Sequence, residues 1–187
     1  MPAPFCAARR PVPAPLLAAA LLLVARAPTA HGGDFGVSPD HPAGTRPALE
    51  AQLRAAGLKP RPPEERRSED MGGAFQVAAW VDDEAAARAG ASEHVQLLLG
   101  LDGRLRGLTG AFTVPGGSKQ VQAVLERYWR EVAGAPPRFE DQAGASEWTP
   151  ASRTARFSTA GARGTWMKIG ASESVRIRLR EGGATPR

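Results

Sequence analysis

PGGSKQVQAVLERYWREVAGAPP, residues 115–137, is the stretch on which the fold turns. Ser118 is a natural helix cap and Gly134 a natural stop, with Pro136 and Pro137 behind it, so the punctuation predicts a helix over residues 118–133. Val121, Leu125, Tyr128 and Val132 recur on one side, and Val124 and Trp129 widen the stripe. A helix of this length does not stand alone in water, and an apolar band this broad has to be covered. The pattern therefore predicts a sheet beneath it.

Upstream, AFQVAAWVDD (residues 74–83) alternates, with Phe75, Val77, Ala79 and Val81 on one face and Gln76, Ala78 and Trp80 on the other, which is strand periodicity. In HVQLLLGLDGRLRGLTGAFTV (residues 94–114), Asp102-Gly103 separates two strand-like runs and predicts a two-residue type I′ hairpin. The phase slips on the return arm, where Leu105 and Leu108 fall on opposite faces, so a bulge is expected near Gly107. TRPALEAQLRAAGLKP (residues 45–60) predicts a short helix over 45–56, with Pro47 in its first turn, Gly57 closing it and Pro60 forbidding continuation. RPPEERRSED (residues 61–70) reads as a charged loop, and DDEAAARAG as a single helical turn.

Downstream, TARFST (154–159), TWMKI (165–169) and VRIRLR (175–180) are strand-like, and the short Gly-rich links between them suit an antiparallel meander. The expected fold is α+β: a two-layer sandwich with a mostly antiparallel sheet of about six strands and two helices packed on one face, in the order α-β-β-β-α-β-β-β. It forms one domain over residues 45–181, with a flexible segment at 31–44 and a loose tail at 182–187. The tetrapeptide GASE recurs at residues 90–93, 144–147 and 170–173; its unequal spacing reads as a favoured turn, not an internal repeat.

The first thirty residues read as a signal peptide outside the fold. Arg9 and Arg10 precede LLAAALLLVA (residues 16–25), an apolar run of ten residues. That matches a signal core and is too short to span a bilayer, which takes about 20 residues. Cleavage is expected after Ala27 or Ala30. This predicts a periplasmic or secreted protein of a bacterial envelope, with no transmembrane segment once the leader is removed. The leader carries three of the 24 basic residues and none of the 19 acids, leaving 21 against 19, about +2. So even a balance excludes nucleic-acid binding by bulk charge. Cys6, the single cysteine, lies in the leader, so neither disulfides nor thiolate chemistry are expected in the mature chain.

Candidate chemistry is sparse. Of the three histidines, His31 and His41 fall in the segment before the first helix, and His94 starts a strand. Ser92 lacks the glycine that a nucleophile elbow requires at position 94. Asp82, Asp83 and Glu84 lack calcium-loop spacing and read as helix-start acids. No phosphate-loop or dinucleotide fingerprint occurs, and neither a cofactor nor a metal is expected. The alternative of a small secreted hydrolase rests on Asp82, Glu140 or Asp141 converging on His94. Trp80, Trp129, Trp148 and Trp166 are read first as packing residues and second as a platform on an open sheet.

SVRIRLRE (residues 174–181) is the one pattern that points outward. With Val175, Ile177 and Leu179 inward, Arg176, Arg178 and Arg180 share the other face at about 7 Å intervals. Arg156 and Lys168, on the two preceding strands, are expected to enlarge the patch. Guanidinium forks match phosphate and carboxylate geometry. The function expected is that of a non-catalytic exported binding or assembly module engaging an anionic glycan, a lipid or an envelope partner protein. The competing explanation is that the final strand is a sheet edge, protected from unwanted pairing by its charges.

Overall fold

Ser118 caps the central helix as its sequence predicts: its Oγ accepts a hydrogen bond from Val121 N at 3.0 Å. Gly134 closes the other end at φ 72°. The computed structural model describes residues 35, 37, 46–142 and 151–180. Among these are three helices: α1 (Arg46–Ala55), α2 (Asp83–Ala89) and α3 (Lys119–Ala133). Nine strands accompany them: β1 (Lys59–Pro60), β2 (Glu64–Ser68), β3 (Gly73–Val81), β4 (His94–Leu99), β5 (Leu105–Thr113), β6 (Glu140–Gln142), β7 (Ser152–Ser158), β8 (Ala162–Ile169) and β9 (Ser172–Leu179). The protein is α+β with one antiparallel sheet.

The sheet is two meanders joined at a seam. The first runs inward from one edge as β1 and β2, which share one side of β3, then β3, β4 and β5. After α3, the second starts at the opposite edge as β6 and returns through β7, β8 and β9. β9 then pairs with β5 over seven residue positions, from Gly107↔Arg178 to Thr113↔Ser172. The final strand is thus interior.

All six stripe residues of α3 are buried: Val121, Val124, Leu125, Tyr128, Trp129 and Val132. They share one core with Trp80, Leu97, Leu108, Phe112, Trp166, Val175 and Ile177 from the strands and with Leu49 and Leu53 from α1. Each large side chain so buried contributes about 1.5–3 kcal/mol. Close approach is needed where the helix crosses β5, because a Cβ at Gly110 would lie 2.5 Å from a Leu125 methyl. Phe35 and Val37 belong to the same core; the Phe35 ring meets Tyr128 edge-on at 5.4 Å, so this part of the segment before α1 is packed, contrary to the expected flexibility.

Two further expectations are corrected. The sheet has nine strands instead of about six, because Lys59–Pro60 pairs with β3 as β1, residues of the charged stretch 61–70 pair with β3 as β2, and a short β6 borders β7. None of these segments carries an alternating apolar pattern, since all three lie at sheet borders with mostly exposed side chains. The β4–β5 hairpin has a three-residue loop, 101–103, with positive φ only at Gly103 and Gly103 N donating to Gly100 O, instead of a two-residue type I′ turn. The expected bulge is present: Leu98 pairs with Gly107 and Leu99 with Leu105, leaving Arg106 as the extra residue.

The GASE turns share a design in the two copies the structure describes. Gly90 (φ 63°) and Gly170 (φ 56°) supply the left-handed turn. The glutamate three residues on is buried as an acceptor. Glu93 takes Thr113 N and Ser118 N, each at 2.9 Å. Glu173 takes Trp166 Nε1 and Lys168 Nζ, each at 2.8 Å. The copy at 144–147, Trp148, the leader, His31, His41 and residues 182–187 lie outside the described residues.

Candidate functional site

Strand parity divides the sheet into a face that meets α3 and a face that does not. On β9, Val175 and Ile177 join the α3 core, so Ser174, Arg176 and Arg178 take the other face. Antiparallel register then fixes their neighbours. Arg178 is directly opposite Arg163 on β8 and Gly107 on β5. Arg176 is opposite Thr165, which is itself opposite Arg156 on β7. Arg180 follows the end of β9, and its Nη2 donates to Ser158 Oγ at 3.1 Å.

Of the residues singled out from the sequence, Arg156, Arg176, Arg178 and Arg180 come together. Lys168 does not. It shares parity with the buried Trp166, its Nζ is 2.8 Å from Glu173 Oε1, and it sits 4.3 Å from the Phe139 ring centroid on the α3 side. Its place is taken by Arg163, which sequence reading assigned to the link before the strand. The alternation Arg163–Thr165–Met167, out of phase with Trp166, is the signal that points to it.

The edge-protection explanation of the arginine row fails on topology. β9 lies between β5 and β8 and has no free edge. Like charges directly opposite on neighbouring strands destabilise a sheet, by roughly 0.2–1 kcal/mol per pair. Yet Arg163 faces Arg178 in the middle of this one. Among the described residues, Arg156, Arg163 and Arg176 form no ion pair, and Arg178 Nη1 is buried without an acceptor. Burial lowers the Arg178 pKa, and Arg176 and Arg163 lower it further, while Asp70 opposes them. Asp70 stands on a 3-10 turn (Glu69–Met71) between β2 and β3.

These groups line an open, concave surface. One part of it, of about 530 Å³, is bordered by Met71, Phe75, Leu98, Thr109, Arg176 and Arg178. Phe75, Val77 and Leu98 form a small apolar cluster, separate from the main core, with Met71 packed on it. Gly107 separates this cluster from the arginines. A side chain there is excluded, because its Cβ would lie 2.5 Å from Ile177 O. One row across the sheet therefore reads Val77, Leu98, Gly107, Arg178, Arg163. It is apolar at one end and cationic at the other.

Of the carboxylates considered for catalysis, Glu140 and Asp141 lie far from His94 and Asp82 is engaged by other partners. Glu140 and Asp141 are on β6, five strand spacings from β4, or about 24 Å. Asp141 pairs with Arg153 at 2.9 Å. Asp82 instead caps α2, accepting from Ala85 N at 2.9 Å, and this bond chiefly lowers its pKa; it also accepts from Ser118 Oγ at 2.8 Å. His94 lies on the open face, opposite Ala111 and Val81, and burial lowers its pKa. Among the described residues no three His, Cys, Asp or Glu side chains group as a metal site, and no helix is long and apolar enough to cross a membrane. Trp80, Trp129 and Trp166 are all buried, so none of the three offers a platform.

No protein-family model matches this chain, and no curated protein or solved structure matches it significantly.

Proposed function

We propose that this is an exported, non-catalytic binding module, arranged in two layers with α1 and α3 on one side of the sheet and a ligand-binding surface on the other. The observation that carries the reading is the facing pair Arg163 and Arg178 in the interior of the sheet. A fold gains nothing from that juxtaposition, whereas an anion between the two guanidinium groups turns repulsion into two charge-assisted hydrogen-bonded contacts. Arg156, Arg176 and Arg180 extend the field, so an anionic envelope component is the partner class the surface fits. Export is supported by the Arg9-Arg10 start, the apolar run at 16–25 and the small residues at Ala25 and Ala27.

Binding of labelled dextran sulfate at low salt tests the surface. The expected result is a loss of about tenfold or more in the triple variant Arg156→Ser, Arg176→Ser, Arg178→Ser, with far-UV circular dichroism unchanged; equal binding by both proteins overturns the reading. Mass spectrometry of the secreted or periplasmic chain tests export, with a mature N-terminus at Pro28 or His31 expected and an intact Met1 counting against it.

A further inference from the structure

We infer that the ligand of the open face is an amphiphilic phosphomonoester: a doubly charged phosphate between Arg163 and Arg178, with its apolar substituent lying across Gly107 onto Leu98, Val77 and Met71. The inference rests on the anion-binding reading and narrows it to one chemistry. Three observations carry it. The first is charge. Even with Asp70 beside them, two opposed guanidinium groups, backed by Arg176 and Arg156, exceed what one carboxylate neutralises. A phosphomonoester brings about −1.5 to −2 at pH 7 and three acceptor oxygens, and Arg178 Nη1 is a buried donor without an acceptor.

The second is the order of residues along the row. Arg163 and Arg178 are followed by Gly107, which leaves the backbone bare, and then by Leu98 and Val77. A glycan phosphate or an extended polyanion finds no use for the apolar half; an amphiphile uses both. The third is Met71. It is half-buried on the turn before β3 and packs on Phe75, Val77 and Leu98. An unbranched thioether repacks readily, so it can move aside for an alkyl chain while the strands stay in place. Met71, Phe75 and Arg178 border two depressions, one of about 530 Å³ over Val77 and Leu98 and one of about 820 Å³ that reaches Arg163, each the size of a small-molecule site.

The test is calorimetric titration of the purified protein with octyl phosphate, inorganic phosphate and octyl sulfate, all below micelle formation. Octyl phosphate is expected to bind about tenfold or more tightly than either of the others, because only it supplies both the second charge and the chain. Arg163→Ser, at an exposed position, is expected to abolish this preference. Met71→Ser is expected to weaken octyl phosphate severalfold and leave inorganic phosphate unchanged. Equal affinity for octyl phosphate and octyl sulfate, or for octyl phosphate and inorganic phosphate, overturns the inference. If dextran sulfate still binds through Arg156 and Arg176 in that case, the anion-binding surface stands and only the amphiphile falls. If neither ligand binds, both fall.

Discussion

On β9, Val175 and Ile177 turn toward α3 while Arg176 and Arg178 turn away, so neighbouring residues of one strand sit in opposite environments. On the α3 side, buried charge is satisfied. Glu93 is fully buried yet accepts two backbone N–H groups, and Glu173 accepts the Trp166 indole and the Lys168 ammonium. On the far side, arginine faces arginine. The same backbone supports both, so the difference is one of purpose. One face is arranged to hold the chain together, and the other retains a conflict that folding alone does not reward.

The largest expected effect lies on the covered side. Trp129, 1% exposed, meets Phe157 at 4.7 Å and Trp166 at 5.7 Å, both edge-on. Trp129→Ala should lower the unfolding free energy by about 3–5 kcal/mol in urea titration; a loss below 1 kcal/mol would mean that α3 does not hold the core. Next is Glu93→Ala, which strips acceptors from Thr113 N and Ser118 N and should cost about 1–3 kcal/mol by the same measurement. Smaller, and opposite in sign, is Arg163→Ser. It should stabilise the ligand-free protein by about 0.2–1 kcal/mol at low ionic strength, with the gain shrinking as sodium chloride is added. Destabilisation instead would erase the contrast between the two faces.

The smallest effect is a slope. Burial sets the folded pKa of His94 below its ordinary 6.5. The unfolded chain therefore binds more protons between the two values, and stability rises with pH across that window. The contribution is fully present above about pH 6.5 and is lost as pH falls toward the folded value. His94→Gln should flatten this part of the stability–pH profile, and an unaltered slope would show that His94 does not produce it.

Local patterns were legible in the sequence. Ser118, Gly134 and the six-residue stripe placed α3, and alternation placed β3, β4, β5 and the three final strands. Pairing was not legible, because strand order is set by contacts distant in sequence. Nothing in VRIRLR says that β9 docks beside β5, and that single fact decides between edge protection and binding. Lys168 shows the other limit. A strand's side chains change face at every residue, so counting it with the arginines was an error of one step, which the phase of Trp166 resolves. β2 escaped notice because a bordering strand with exposed side chains needs no apolar alternation.

The seam between β5 and β9 also sets a schedule. Synthesis proceeds from the amino end, and β9, the last of the described strands in the chain, is the one that closes the middle of the sheet. Until Ser172 and its successors emerge, β5 and β8 each keep a bare flank, and the two meanders have no ladder joining them. The first meander and β6–β8 therefore become one sheet only once β9 is available to bridge β5 and β8.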